Sequence, residues 1–103
     1  MPLKEFKDSP IAEDLRDPEF ASDYLELALK ESVQGFIIAL RNVSDANGGI
    51  GKLSSKSNLG RESLYKSLNH DGSSNPYFST ICKILDTLGM EILIFPKDED
   101  EAA

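Results

Sequence analysis

KSNLGRESLYKSLN, Lys56 to Asn69, is the stretch on which the fold of this chain turns. Leu64 and Leu68 stand one helical turn apart, so Arg61 to Leu68 predicts a short helix with both leucines on its inner face. Arg61, Glu62, Ser63, Tyr65 and Lys66 are then left facing away from the core. Just upstream, Gly51 to Ser57 predicts another short helix that buries Leu53 together with Ile50. Between the two, Asn58 falls where the chain must turn with positive φ, which Asn tolerates better than most non-glycine residues. Leu59 plugs the gap between the helices, Gly60 starts the second one, and the small Ser54 lets the pair cross closely.

Two helices joined by a three- or four-residue turn, the second placed in a major groove, are the geometric requirement of a DNA-binding helix-turn-helix. The outward residue types suit a groove. Arg61 can contact guanine bidentately, Ser63 and Glu62 can meet base edges, and Tyr65 and Lys66 can hold phosphates. Lys52 and Lys56, on the preceding helix, would sit near the DNA backbone. The same residues also suit a merely solvated face of a helical bundle, and Gly51 and Gly60 are weaker caps than Ser, Thr or Asp.

The chain has 103 residues and 40% hydrophobic content, enough for one small domain with a single core. Its net charge of -7 opposes nucleic-acid binding until it is divided by region. Residues 1 to 31 carry four Lys/Arg against nine Asp/Glu, a net of -5. Residues 32 to 90 carry six against four, a net of +2, and the last thirteen carry one against five, a net of -4. A mildly basic middle therefore lies between two acidic ends. No apolar run of about 18 residues is present and the N-terminus lacks a signal-peptide pattern, which predicts a cytoplasmic protein with no membrane partner. Cys82 is the only cysteine and His70 the only histidine, so no disulfide or cysteine/histidine zinc site is expected within one chain, and no cofactor. Cys82, between Ile81 and Ile84, fits core packing.

Outward from the central stretch, residues 1 to 16 lack a sustained period and contain Pro2 and Pro10, predicting an extended or loosely ordered arm. Asp17 followed by Pro18 predicts a helix start, and Phe20, Tyr24, Leu27 and Ala28 then recur at helical spacing to near Glu31. Ser32 caps a second helix with the stripe Val33, Phe36, Ile37, Leu40 and Val43, ended by Asn47, Gly48 and Gly49. Asn69 to Pro76 is a dense cluster of turn residues and predicts a loop. Phe78, Ile81, Leu85 and Leu88 mark a last helix, stopped by Gly89. Met90 to Phe95 is a short apolar run closed by Pro96 and predicts one β-strand. That strand needs a ladder partner, either the same strand of a second copy, through Glu91, Ile92, Leu93, Ile94 and Phe95, or the arm near Leu3 to Phe6. The expected architecture is thus mainly α, about five helices and one C-terminal strand. Residues 1–31 form an acidic arm and first helix, 32–95 the helix-turn-helix core with the strand, and 96–103 an acidic tail.

GIGKLSSKSNLGRESLYKSLN resembles the Xre-type, lambda-repressor-like helix-turn-helix of bacterial antitoxins. More narrowly, the chain resembles the addiction-module antidote proteins related to HigA over roughly residues 1 to 95. The features that carry this are the MPLK opening, DPEFASDYLELAL, LGRESLYKSL and NPYFSTICKILDTLGMEI. The resemblance implies an antitoxin that neutralises a toxin of the RelE/ParE superfamily by direct binding and represses its own operon as a homodimer on double-stranded operator DNA. Carried over by position, Arg61, Glu62, Ser63, Tyr65 and Lys66 match the recognition helix, and Lys52 and Lys56 its supporting helix. The sequence departs from the pattern at Gly51, Asn58 and Gly60, where Ser, Gly and Ser are more usual.

A toxin that grips RNA should be basic, and the acidic N-terminal part complements it, with Phe6 and Ile11 as apolar anchors and Asp14 and Glu19 among its charges. The same charges also serve simply to solubilise the chain. An enzyme is not expected: His70 and Asp71 lack an accompanying nucleophile or oxyanion element, and GGIGK lacks the Walker spacing. The alternatives to the antitoxin-repressor are a protein-interaction module that does not bind DNA and a stand-alone Xre-type regulator without a toxin partner.

Overall fold

A computed structural model of the chain describes residues 10–98. Six helices follow in order: α1 (Pro10–Asp14), α2 (Pro18–Glu31), α3 (Val33–Ala46), α4 (Gly49–Ser57), α5 (Arg61–Ser67) and α6 (Phe78–Thr87). The core is one cluster, with Leu15, Leu40, Leu64, Leu68 and Ile84 all shut off from solvent. α3 is its axis, packed against α1, α2 and α4, and α4 in turn carries α5 and α6.

Local chemistry sets most boundaries. Asp17 caps α2 by accepting from the Glu19 N–H at 3.1 Å, with Pro18 at the first helical position. Ser32 ends α2 and begins α3: its backbone is extended, and its hydroxyl accepts from Gly35 N–H at 2.8 Å. At the end of α6, Gly89 takes φ 81°. There the Gly89 and Met90 N–H groups reach back to Asp86 and Leu85, the paired bonds of a Schellman motif.

Several expectations need correction. Among the described residues there are six helices rather than about five, because α1 lies inside the segment expected to be an extended or loosely ordered arm. A five-residue helix shows no period, and this one is held by tertiary contacts. Ala12 and Leu15 are fully buried, Arg16 Nε donates to Ala46 O at 3.0 Å, and Asn47 Nδ2 donates to Leu15 O at 3.0 Å. On α2 the buried residues are Ala21 and Leu25, with Tyr24 and Ala28 half-buried, whereas Phe20 and Leu27 are exposed. Ala21, Tyr24, Leu25 and Ala28 recur at helical spacing and form the face of α2 that packs on α3, with Asn42 Nδ2 donating to Tyr24 Oη at 2.9 Å across the contact. Val33 and Phe78, at the first positions of α3 and α6, are exposed as well. α4 begins two residues earlier than expected, after Gly48 in a left-handed conformation.

The expected C-terminal strand is not formed among the described residues: 90–98 carry no regular structure. A strand is defined by its ladder, and no second strand among the described residues supplies one. Glu91 and Ile92 to Phe95 are exposed, Ile94 to 90%. Phe6 and the arm residues Leu3 to Phe6 lie outside the described residues, as does the tail beyond Asp98.

Candidate nucleic-acid interface

The α4–α5 connection is built as the sequence leads one to expect. Asn58 adopts φ 63° and ψ 18°, in the left-handed region, and its N–H closes α4 on Ser54 O at 3.0 Å. Ser54 does more than permit a close approach, for its hydroxyl donates to Leu59 O at 2.6 Å. Leu59 N–H donates to Ser57 Oγ at 3.1 Å, and the Leu59 side chain packs half-buried on the core. Each backbone group of the turn that is tied down reduces the freedom with which α5 leaves α4.

α5 then starts at Gly60, whose carbonyl accepts from Leu64 N–H at 3.0 Å without a side-chain cap. Leu64 is its buried residue, and Arg61, Glu62, Ser63, Tyr65 and Lys66 are all exposed. Lys66 Nζ lies 3.4 Å from Glu62 Oε1, an exposed i,i+4 pair of a few tenths of a kcal/mol that any stronger anion can displace. Lys52 and Lys56 are exposed on α4 and rim a pocket of about 150 Å³ that reaches to Thr87 at the end of α6 and to Leu88 just beyond it. Together α4 and α5 carry Lys52, Lys56, Arg61 and Lys66 against Glu62 alone.

Two glycines acquire different meanings. Gly51 is not a cap but sits inside α4, and a Cβ there would come 3.2 Å from an Arg61 guanidinium nitrogen. The missing side chain thus makes room for Arg61 to lie back over α4. A Cβ at Gly60 would meet nothing within 4 Å, so the residue is simply an uncapped start.

Sequence reasoning counted Arg41 only as a charge, yet it is buried beneath α5. Its Nε donates to Asp45 Oδ1 at 3.0 Å, one guanidinium nitrogen donates to Leu68 O at 2.8 Å, and the guanidinium carbon lies 5.2 Å from the centre of the Tyr65 ring. An arginine inside the apolar run of α3, with Asp four residues on, is the signal that could have found it.

The loop after α5 is organised by its own polar groups. Asp71 Oδ1 accepts from Ser73 N–H at 3.0 Å. The Ser73 backbone N–H, and then its hydroxyl, hold the Asp71 carboxyl below its ordinary value of 3.8. That carboxylate is therefore occupied in shaping a turn. Of the residues expected to meet a partner, Ile11, Asp14 and Glu19 are exposed on α1 and the start of α2. Among the described residues no three His, Cys, Asp or Glu side chains are grouped to hold a metal ion, and no helix is long and apolar enough to cross a membrane.

A family model described as "Probable addiction module antidote protein" matches residues 4–96. No curated protein and no solved structure matches the chain.

Proposed function

The chain belongs to the addiction-module antidote family, whose role is that of an antitoxin with a toxin partner, and we propose that it is in addition a sequence-specific DNA-binding repressor of its own operon. The observation that carries this is the exposed face of α5. A seven-residue helix is set by a hydrogen-bonded three-residue turn and presents Arg61, Glu62, Ser63, Tyr65 and Lys66 to solvent, with Lys52 and Lys56 beside it on α4. In this reading α4, the turn and α5 form a helix-turn-helix. Arg61, Ser63 and Glu62 read base edges, and Tyr65, Lys66, Lys52 and Lys56 hold phosphates.

The repressor acts as a homodimer in the cytoplasm, each protomer placing α5 in one half-site. Glu91 to Phe95 is the segment that joins two copies: its apolar side chains are exposed, and pairing with its own copy gives a self-complementary ladder. The toxin it neutralises is a basic member of the RelE/ParE superfamily that meets the acidic N-terminal part, where the described residues 10–31 carry two basic and seven acidic side chains.

Mobility of DNA from the protein's own promoter tests the repressor reading. The wild type retards the fragment at low salt, and Arg61→Ala combined with Lys66→Ala abolishes the retardation. A wild type that retards no promoter fragment at low salt supports the rival, an interaction module that only sequesters its partner. The Glu62–Lys66 pairing, which partly neutralises the exposed face, favours that rival.

A further inference from the structure

We propose that Arg41 is the positioning residue of the DNA-reading surface: it fixes the rotation of α5 and the Tyr65 ring without itself touching DNA. The inference rests on the repressor reading and adds a residue to it.

A helix of seven residues does not hold its own orientation in water, and α5 has no side-chain cap at its start. Its inner leucines, Leu64 and Leu68, anchor it to the core but leave a range of rotations about its axis. Arg41 narrows that range from below. One guanidinium nitrogen donates to Leu68 O, the carbonyl that follows the last turn of α5, at 2.8 Å. A cation placed there also suits the negative end of the helix dipole. The same guanidinium lies 5.2 Å from the centre of the Tyr65 ring, within the range of a cation–π contact. Its Nε donates at 3.0 Å to Asp45, four residues along α3. The planar fork is thus held by its own helix while it grips two points of α5.

Burial excludes the simpler role of a phosphate contact. Arg41 is 8% exposed and its charge is offset by Asp45, whereas Tyr65 is 52% exposed and reaches solvent. Arg41 therefore acts through Tyr65 and the end of α5. Lysine keeps the charge but not the fork, so Arg41→Lys loses at least one of the two grips.

The test is the affinity for a fragment of the protein's own promoter, measured over a salt series for wild type, Arg41→Lys, Tyr65→Leu and the double variant. Arg41→Lys is expected to weaken binding about tenfold while the slope of log affinity against log salt stays that of the wild type, since no phosphate contact is lost. The double variant is expected to bind more weakly than Tyr65→Leu alone, but by less than the full loss that Arg41→Lys causes in the wild type, because the Tyr65 grip is shared and the Leu68 grip is not. A slope shallower by about 1, as for a lost phosphate contact, a fully additive loss, or unchanged affinity in Arg41→Lys each overturns the proposal. The Arg41 Nε–H resonance of the free protein gives a second readout that needs neither DNA binding nor a folded Arg41 variant. It should keep its position in Tyr65→Phe, which retains a ring face, and shift in Tyr65→Leu; no shift in Tyr65→Leu overturns the proposal. Failure of the wild type to bind the fragment counts against the repressor reading alone, and the resonance then decides the Arg41–Tyr65 contact.

Discussion

At Gly51 a single missing methyl group connects helix stability to the surface proposed to read DNA. Its φ is not in the left-handed region and the atom a Cβ would approach is the far end of the Arg61 side chain, at 3.2 Å. Gly51→Ala should therefore raise stability by about 0.5–1 kcal/mol, seen as a higher melting temperature, while shifting the Arg61 guanidinium off α4. A lower melting temperature would show that Arg61 cannot give way. Asp71 yields a second prediction. Its folded carboxyl lies below the ordinary value of 3.8, so it adds stability above that value and loses it as the pH falls through the lowered one. Acid denaturation of Asp71→Asn should lack that component, giving a shallower fall on the acid side than the wild type; identical acid limbs would contradict the role of the Ser73 bonds. Residues of this kind differ in legibility. Asn58 could be placed with positive φ from the sequence because the constraint is local to the turn. Asp45, four residues on, hints that Arg41 is held within α3, but what Arg41 and Gly51 meet on another helix depends on which groups lie over them, and spacing along the chain does not encode that.

Among the elements, α2 shows where periodicity misleads. Its apolar residues, Phe20, Ala21, Tyr24, Leu25, Leu27, Ala28 and Leu29, form a wide arc of little more than half the helix circumference, and only the middle of that arc is covered. Close packing along α3 selects Ala21 and Leu25 and leaves Phe20 and Leu27 outside. In α4 and α5 the pattern is sharper, because few apolar residues are available and each must face inward, so Leu53, Leu64 and Leu68 were legible. α1 was not, since five residues held by Arg16 and Asn47 to the end of α3 carry no period of their own. The loop after α5 was recognisable as a loop, but not its docking on α3. Gly72 is buried with φ 70°, and a Cβ there would fall 2.5 Å from Gln34 O, a backbone atom of α3. Gly72→Ala should cost at least about 2 kcal/mol, from the left-handed backbone and the forced separation together. Chemical denaturation would measure this, and a loss below a few tenths would mean that the loop is not held against α3.

For the whole molecule, the net charge of -7 is a poor guide to partners because it averages regions of opposite sign. The exposed cations of α4 and α5 lie between an acidic N-terminal part and an acidic end, which gives one chain two surfaces of contrasting charge. Assembly is the claim that depends on more than one copy. Removal of the residues after Met90, which keeps the bond that closes α6, should leave the described helices intact and convert a dimer into a monomer by sedimentation; a truncated chain that still sediments as a dimer places the interface elsewhere. A dimer that reads DNA through α5 makes the most direct geometric demand. Nuclease footprinting on the protein's own promoter should show two protected half-sites with centres about one helical turn, roughly 10 base pairs, apart or a multiple of that. Both should vanish together in the Arg61→Ala, Lys66→Ala variant. A promoter left unprotected at low salt, or one protected equally by that variant, would contradict the assignment of α5 as the DNA-reading helix.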